Sequence, residues 1–172
     1  MQEHARDNEG VYVSLSCGHD VYDKVASLSD PTVRFWYGQS LLHAAARGGS
    51  ARVVELLLSR GLDANDRDSD GITPLHVAAC GMNPAAVVPV LLASGADANA
   101  ADRNGCRPVH FAMTLPDATP VINALVNAGA DVQCENLRRE TPAIWADGLG
   151  RRANAIAIDR VVNRRTDEKK TR

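Results

Sequence analysis

The chain has 172 residues, of which 45% are hydrophobic but only 4% aromatic, so a core must be built from Ala, Val and Leu rather than from large rings. Its formal net charge of −2 gives bulk electrostatics no reason to favour nucleic acid or an anionic membrane surface. The four cysteines, Cys17, Cys80, Cys106 and Cys134, form no C-x-x-C pair and follow no regular spacing, which argues against a disulfide framework or a zinc site.

Residues 1–10 are polar, lack periodicity and carry no apolar secretory segment, so they are expected to be unstructured. No apolar run approaches the ~20 residues that span a bilayer. The expected location is cytoplasmic, with the nucleus or export as an effector as alternatives. In the next stretch Val21, Val25 and Leu28 follow the i, i+4, i+7 pattern, which predicts a short helix from Asp20 to Ser29. Cys17-Gly18-His19 precedes it as a turn. Residues 11–34 are read as a degenerate capping unit, the alternative being an unrelated extension.

From Phe35 the pattern is regular. Ser40 is placed to cap a helix from Leu41 to Arg47, Gly48-Gly49-Ser50 breaks it, and a second helix from Ala51 to Arg60 ends at Gly61. The next unit, 68–101, has Thr73 as cap and Pro74 at the first helical position, where its missing N–H costs nothing. Pro89 is expected to delay that unit's second helix until about Val88, because proline is tolerated only in a first turn. In the third unit, 102–135, Thr119-Pro120 reads as N-cap and first position of a helix from Val121 to Ala128. The fourth, 136–163, degrades. Its last helix places Arg152, Asn154, Asp159 and Arg160 at polar positions suited to an uncovered outer face. Residues 164–172, seven of them charged, are expected to be disordered.

These units are copies of one another. Gly71-Ile72-Thr73-Pro74-Leu75-His76-Val77-Ala78-Ala79 recurs at Gly38–Ala46 and Gly105–Met113, and Thr141-Pro142-Ala143-Ile144 continues the register, with steps of 33, 34 and 34 residues. A second marker, Gly61-Leu62-Asp63-Ala64-Asn65, returns at Gly95 and Gly129 in phase. Self-similarity at such a period means a solenoid in which each unit buries its apolar face on the next. The pattern resembles the ankyrin repeat, whose helix-opening T-P-L-H-x-A is matched by Thr73 to Ala78. The resemblance implies an all-α solenoid of helix-turn-helix units with β-hairpin-like turns, no catalytic residues, no metal and no cofactor. It also implies another protein as partner, with no nucleic acid, no membrane insertion and a monomeric state alone.

Other chemistries find little support in the residues. His43, His76 and His110 sit in phase, but equivalent positions on stacked helices lie about 8–10 Å apart, whereas zinc ligands sit within ~2.1 Å of the metal. They are expected to hydrogen-bond within and between repeats instead. Ser40, His43 and Asp63 share one unit without a nucleophile elbow, and no phosphate-binding loop occurs. Asn65 and Asn99 are read as closing turns between repeats. With Leu57 and Leu91 eight positions before and Asp63 and Asp97 two before, they also resemble substrates of an asparaginyl hydroxylase.

The resemblance places partner binding on the hairpin tips and exposed first-helix positions. By register the tips are Trp36, Tyr37 and Gln39; then Ser69, Asp70 and Ile72; then Arg103, Asn104 and Cys106; and last Leu137, Arg138 and Glu140. The first-helix positions are Arg47, Cys80, Thr114 and Leu115. Trp36 and Tyr37 stand out, because aromatic anchors dominate interface energetics; the competing reading has Phe35-Trp36-Tyr37 packing the cap onto the first full unit. The expected function is non-catalytic protein binding. A dedicated inhibitor or immunity-type subunit, or a host-directed secreted effector, is the alternative.

Overall fold

Ten α-helices stack in two rows, and no strand ladder forms among the described residues. The computed structural model describes residues 2–19 and 21–170. The first helices of successive units make the inner row: α1 (Gln2–Ser16), α3 (Leu41–Gly48), α5 (Pro74–Ala79), α7 (Pro108–Ala112) and α9 (Pro142–Gly148). The second helices make the outer row: α2 (Tyr22–Ser27), α4 (Ala51–Ser59), α6 (Pro84–Ala93), α8 (Thr119–Asn127) and α10 (Arg152–Lys170). Each helix packs on its counterpart in the next unit, α1 on α3 on α5 on α7 on α9 and α2 on α4 on α6 on α8 on α10.

The core runs between the rows as a thin continuous layer. Leu57, Leu91 and Leu125 fill it at equivalent heights, each fully buried. Ala44, Ala45, Ala78 and Ala79 are also fully buried and let the inner helices approach closely. Gly61, Gly95 and Gly129 end the second helices at φ of 85–87°, a conformation costly for any residue with a Cβ.

Several expectations change. Residues 2–10 are helical rather than unstructured, because good helix formers such as Gln2, Ala5 and Arg6 extend a helix that Val11, Tyr12 and Leu15 anchor in the core. The backbone of 164–170 likewise continues α10; Met1, Thr171 and Arg172 lie outside the described residues. The second helix begins after Val21 rather than at Asp20, which itself lies outside the described residues. Arg60 finishes it from another unit, donating to the carbonyls of Val25 at 2.9 Å and Leu28 at 2.6 Å. The helix α8 starts one residue earlier than expected, with Asp117 accepting from the Thr119 N–H at 2.9 Å.

Pro89 sits in the middle of α6, which begins at Pro84 rather than near Val88. Burial of Val87, Val88 and Leu91 outweighs the missing hydrogen bond, and both Pro89 and Ala85, whose carbonyl loses its donor, face solvent. Pro89→Ala should therefore raise stability by about 1–3 kcal/mol, the helix-interior cost less the entropy proline removes from the unfolded chain. A thermal melt that shows no gain would mean that the helix tolerates the proline without cost.

Asn154 is the other surprise. Expected on a polar outer face, it is 1% exposed. Its Oδ1 accepts from the Ala118 N–H at 3.0 Å, and its Nδ2 donates to the carbonyls of Leu115 at 2.9 Å and Met113 at 3.4 Å. One side chain thus satisfies the irregular turn of the preceding unit. Asn154→Ala strands these buried groups and should cost about 2–3 kcal/mol; the check is a melt compared with exposed Ile156→Ala, which should move little.

Candidate partner-binding face

The tips are tight turns closed by their own backbone. The N–H groups of Phe35, Asp68, Asp102 and Asn136 donate to the carbonyls of Gln39, Ile72, Cys106 and Glu140 at 2.8–3.1 Å. Adjacent tips are zipped together: the N–H of Ser69 donates to Tyr37, that of Arg103 to Asp70, and that of Leu137 to Asn104, at 2.7–2.9 Å. Side chains of Asp68, Asp102 and Asn136 brace the turns by accepting from N–H groups two and four residues on. These bonds hold the tips rigid and tie each one to the next.

Beneath the tips the histidines form joints. In each, Nδ1 accepts the N–H of the helix-capping residue: Ser40 for His43, Thr73 for His76 and Arg107 for His110, at 3.1–3.3 Å. That fixes the neutral tautomer with hydrogen on Nε2, which donates to the next tip's carbonyl at Ile72, Cys106 or Glu140, at 3.0–3.2 Å. Burial pushes all three histidines down, His76 to about 4. Asn65 and Asn99 make a second set of joints. Their Nδ2 atoms donate to Gly95 and Gly129 and their Oδ1 atoms accept from the N–H groups of Asp97 and Asp131, at 2.7–3.0 Å. Gln133, in the equivalent place, makes no such bridge among the described residues.

The first tip projects furthest. Tyr37 is 76% exposed and Trp36 54% exposed. Packing of the cap falls instead to Phe35, whose ring stacks at 4.5 Å on Tyr12, while Trp36 presents one edge to Tyr12 at 5.9 Å. Tyr37 has φ 57°, a left-handed conformation uncommon for a bulky side chain. Arg139 has φ 63° where the other units have glycine. Gln39 is turned inward, accepting from the Tyr12 hydroxyl and donating to Asp68 at 3.1 Å.

Ser69, Asp70, Arg103, Asn104, Leu137 and Arg138 are exposed along the row, as are Arg47, Cys80 and Thr114 beside it. Ile72, Leu115 and Glu140 are half-buried. Cys106 is a correction: at 4% exposed it lies under its tip, with its sulfur accepting from Asn136 Nδ2, so it offers a partner little surface. Burial pushes its thiol and that of Cys80 up, which disfavours thiolate.

A groove of about 370 Å³ joins the second, third and fourth tips to the inner helices. Six of the expected residues line it: Ile72, Asn104, Cys106, Thr114, Leu137 and Arg138. Phe111 and Trp145 also line it and were not anticipated. Both occupy the variable position of the helix-opening motif, one residue after His110 and Ile144, held by Val77 in the second unit. Two aromatics at one register position, in a chain poor in aromatics, were the available signal. Each lies edge-on to the preceding unit's histidine, Phe111 to His76 at 5.0 Å and Trp145 to His110 at 5.9 Å. Among the described residues no three potential metal ligands cluster, and no helix is long and apolar enough to cross a membrane.

Comparison with known proteins matches this geometry. The family model described as ankyrin repeats (3 copies) matches residues 4–102 and again 42–136. The chain is similar to a putative ankyrin repeat protein of Pyrobaculum aerophilum, 54% identical over 43 residues that make up 25% of this chain and 16% of that protein. It is similar to the NF-kappa-B inhibitor cactus of Drosophila melanogaster, 39% identical over 74 residues, 38% of this chain and 15% of cactus. It is also similar to protein phosphatase 1 regulatory subunit 12A of Mus musculus, 50% identical over 42 residues, 24% of this chain and 4% of that subunit. The matched stretches thus span about a sixth or less of these curated relatives.

Proposed function

The chain belongs to the ankyrin-repeat family, whose repeats are protein-interaction modules, and from that premise we propose that it binds a partner protein without catalysis, through the concave face made by its tips and inner helices. The observation that carries the proposal is the pair Trp36 and Tyr37. Both are large, exposed aromatics on a tight turn, and Tyr37 sits there with φ 57°, its carbonyl tied to the Ser69 N–H.

The polarity of the row supports a partner with complementary charge. Asp70 lies toward the early tips, and Arg103 and Arg138 toward the late ones. Residues 11–34 and the last helix pair are proposed as caps, since α1 and α2 cover one end of the stack and α9 and α10 the other. Asn65 and Asn99 enter as structural joints, because both polar atoms of each side chain are already committed.

Affinity purification with the full chain, compared with a Trp36→Ala/Tyr37→Ala variant, tests the proposal. A specific partner should be recovered with the first and lost with the second at unchanged melting temperature. Equal recovery with both would remove the tip from the binding surface. Two relatives are named as an inhibitor and a regulatory subunit, which favours one narrower reading: the partner is a single enzyme or factor whose activity this chain restrains. Addition of the chain should then lower the recovered partner's activity.

A further inference from the structure

The groove under the late tips indicates what kind of segment would fill it. Its floor and mouth are apolar, with Phe111 and Trp145 half-buried below and Leu137 77% exposed above. Leu137 is held there, since its N–H donates to the Asn104 carbonyl at 2.9 Å. The acids of this wall, Asp102 and Glu140, keep their charge but are hydrogen-bonded within the tips. Asp102 Oδ1 accepts two N–H groups, from Asn104 and Cys106, at 2.8 Å each, and Glu140 Oε2 accepts from Asn136 Nδ2 at 2.9 Å. Arg34, Arg107 and Arg139 each have a carboxylate within 3.5 Å, whereas among the described residues neither Arg103 nor Arg138 has one within salt-bridge distance. Arg138 also lines the adjoining recess, together with Glu140, Ile144 and Leu149.

Resting on the reading of this face as a protein-binding surface, the geometry points to an acidic, apolar-anchored peptide segment of the partner as the occupant of this groove. A large apolar side chain sits on Phe111 and Trp145 under Leu137. A neighbouring carboxylate meets Arg138, with Arg103 adding to the same field. Because Arg138 is exposed, this pairing is solvent-screened, contributes modestly and is sensitive to salt. At about 370 Å³ the groove is at the small end of ligand sites, room for one or two side chains of an extended segment rather than for a folded surface. Exposed Leu137 and the chain's net charge of −2 speak against a nucleic-acid strand.

The test is selection of random linear peptides displayed on phage against the immobilised full chain, followed by anisotropy titration of the best synthetic peptide. Enriched sequences should combine Leu, Phe or Trp with a nearby Asp or Glu. Arg138→Glu and Leu137→Asp, both changes at exposed positions, should each weaken the peptide about tenfold without moving the melting temperature. Added salt should weaken the wild-type complex and leave the Arg138→Glu complex less affected. Failure to enrich any peptide, enrichment of basic or purely apolar peptides, or indifference to both substitutions would overturn the inference. Peptides that ignore both substitutions but depend on Trp36 and Tyr37 would overturn the groove and leave the face standing as a binding surface. Partner recovery that survives all four substitutions would sink both readings.

Discussion

Gly48→Ala should detach the first helix from the stack and produce the largest loss of stability of any single alanine substitution considered for this chain. A Cβ built on Gly48 would lie 1.7 Å from the Leu15 carbonyl oxygen, 2.9 Å from its carbon and 3.1 Å from the Gly18 nitrogen. All three are backbone atoms, so no rotamer change relieves the overlap, and α1 must move away. What moves with it is the burial of Val11, Tyr12 and Leu15, each at most 7% exposed. At about 1.5–3 kcal/mol for each of these three side chains, the loss is on the order of 5–9 kcal/mol. That corresponds to a fall in melting temperature of about 10 °C or more. Cleavage within α1 by limited proteolysis should appear before the rest of the array opens, since a solenoid can lose an end unit alone. The control lies in the same helix. Nothing is within 4 Å of a Cβ at Gly10, so Gly10→Ala should stabilise by about 0.5–1 kcal/mol. A variant at Gly48 that melts like wild type with α1 protected would show that the helix does not dock as described.

Mild acid should weaken the protein through its buried histidines. The buried histidines are held neutral, and in the unfolded chain they titrate near 6.5. A depressed folded pKa means that the unfolded state takes up protons first as pH falls. The stability tied to the neutral ring is therefore complete above about pH 6.5 and is lost on the way down to the folded pKa. For His76, lowered to about 4, the loss by that pH is about 3 kcal/mol. His43 and His110 add in the same direction. Desolvation is the leading cause at all three sites. The carbonyls of Ile72, Cys106 and Glu140 and the nearby Asp66, Asp68 and Asp102 partly oppose it, while Arg34, Arg67 and Arg107 reinforce it. The geometry adds a reason of its own, because a proton on Nδ1 would face a backbone N–H that can only donate. The melting temperature should fall continuously between pH 7 and pH 4, and His76→Gln should start lower but fall less steeply. Asp30 and Asp117, whose carboxyls are lowered by bonds from Thr32 and Thr119, add their own loss only as the pH falls through about 4 and below. A flat profile down to pH 4.5 would contradict the neutral, buried joints.

Much of this architecture was legible because its determinants are local. The period, the capping residues Ser40, Thr73 and Thr141, Pro74 at a first helical position and the left-handed glycines each state a backbone requirement within a few residues. The histidine and asparagine joints were legible as joints because they recur in phase. The candidate face was legible only as a set of register positions. Which of its members stand out depends on neighbours: Gln39 is turned inward by Tyr12, Cys106 is covered by its own tip, and Phe111 and Trp145 line a groove that exists only because a later tip closes over them.

By itself, then, the sequence determined that the chain is a stack of helix pairs, how long each unit is, where most helices begin and which polar residues tie one unit to the next. Only the tertiary structure decided that α6 runs through Pro89, that Asn154 is buried and mends a turn some forty residues earlier, that α1 lies flush against Gly48, and that the groove sits beneath Leu137 beside an Arg138 with no acidic partner among the described residues. The division follows from range. Caps, periods and turns are set by steric and hydrogen-bonding rules between near neighbours, whereas burial and pairing in a solenoid are set by the unit stacked alongside, whose side chains lie roughly one repeat away in sequence and in contact only after the stack has formed.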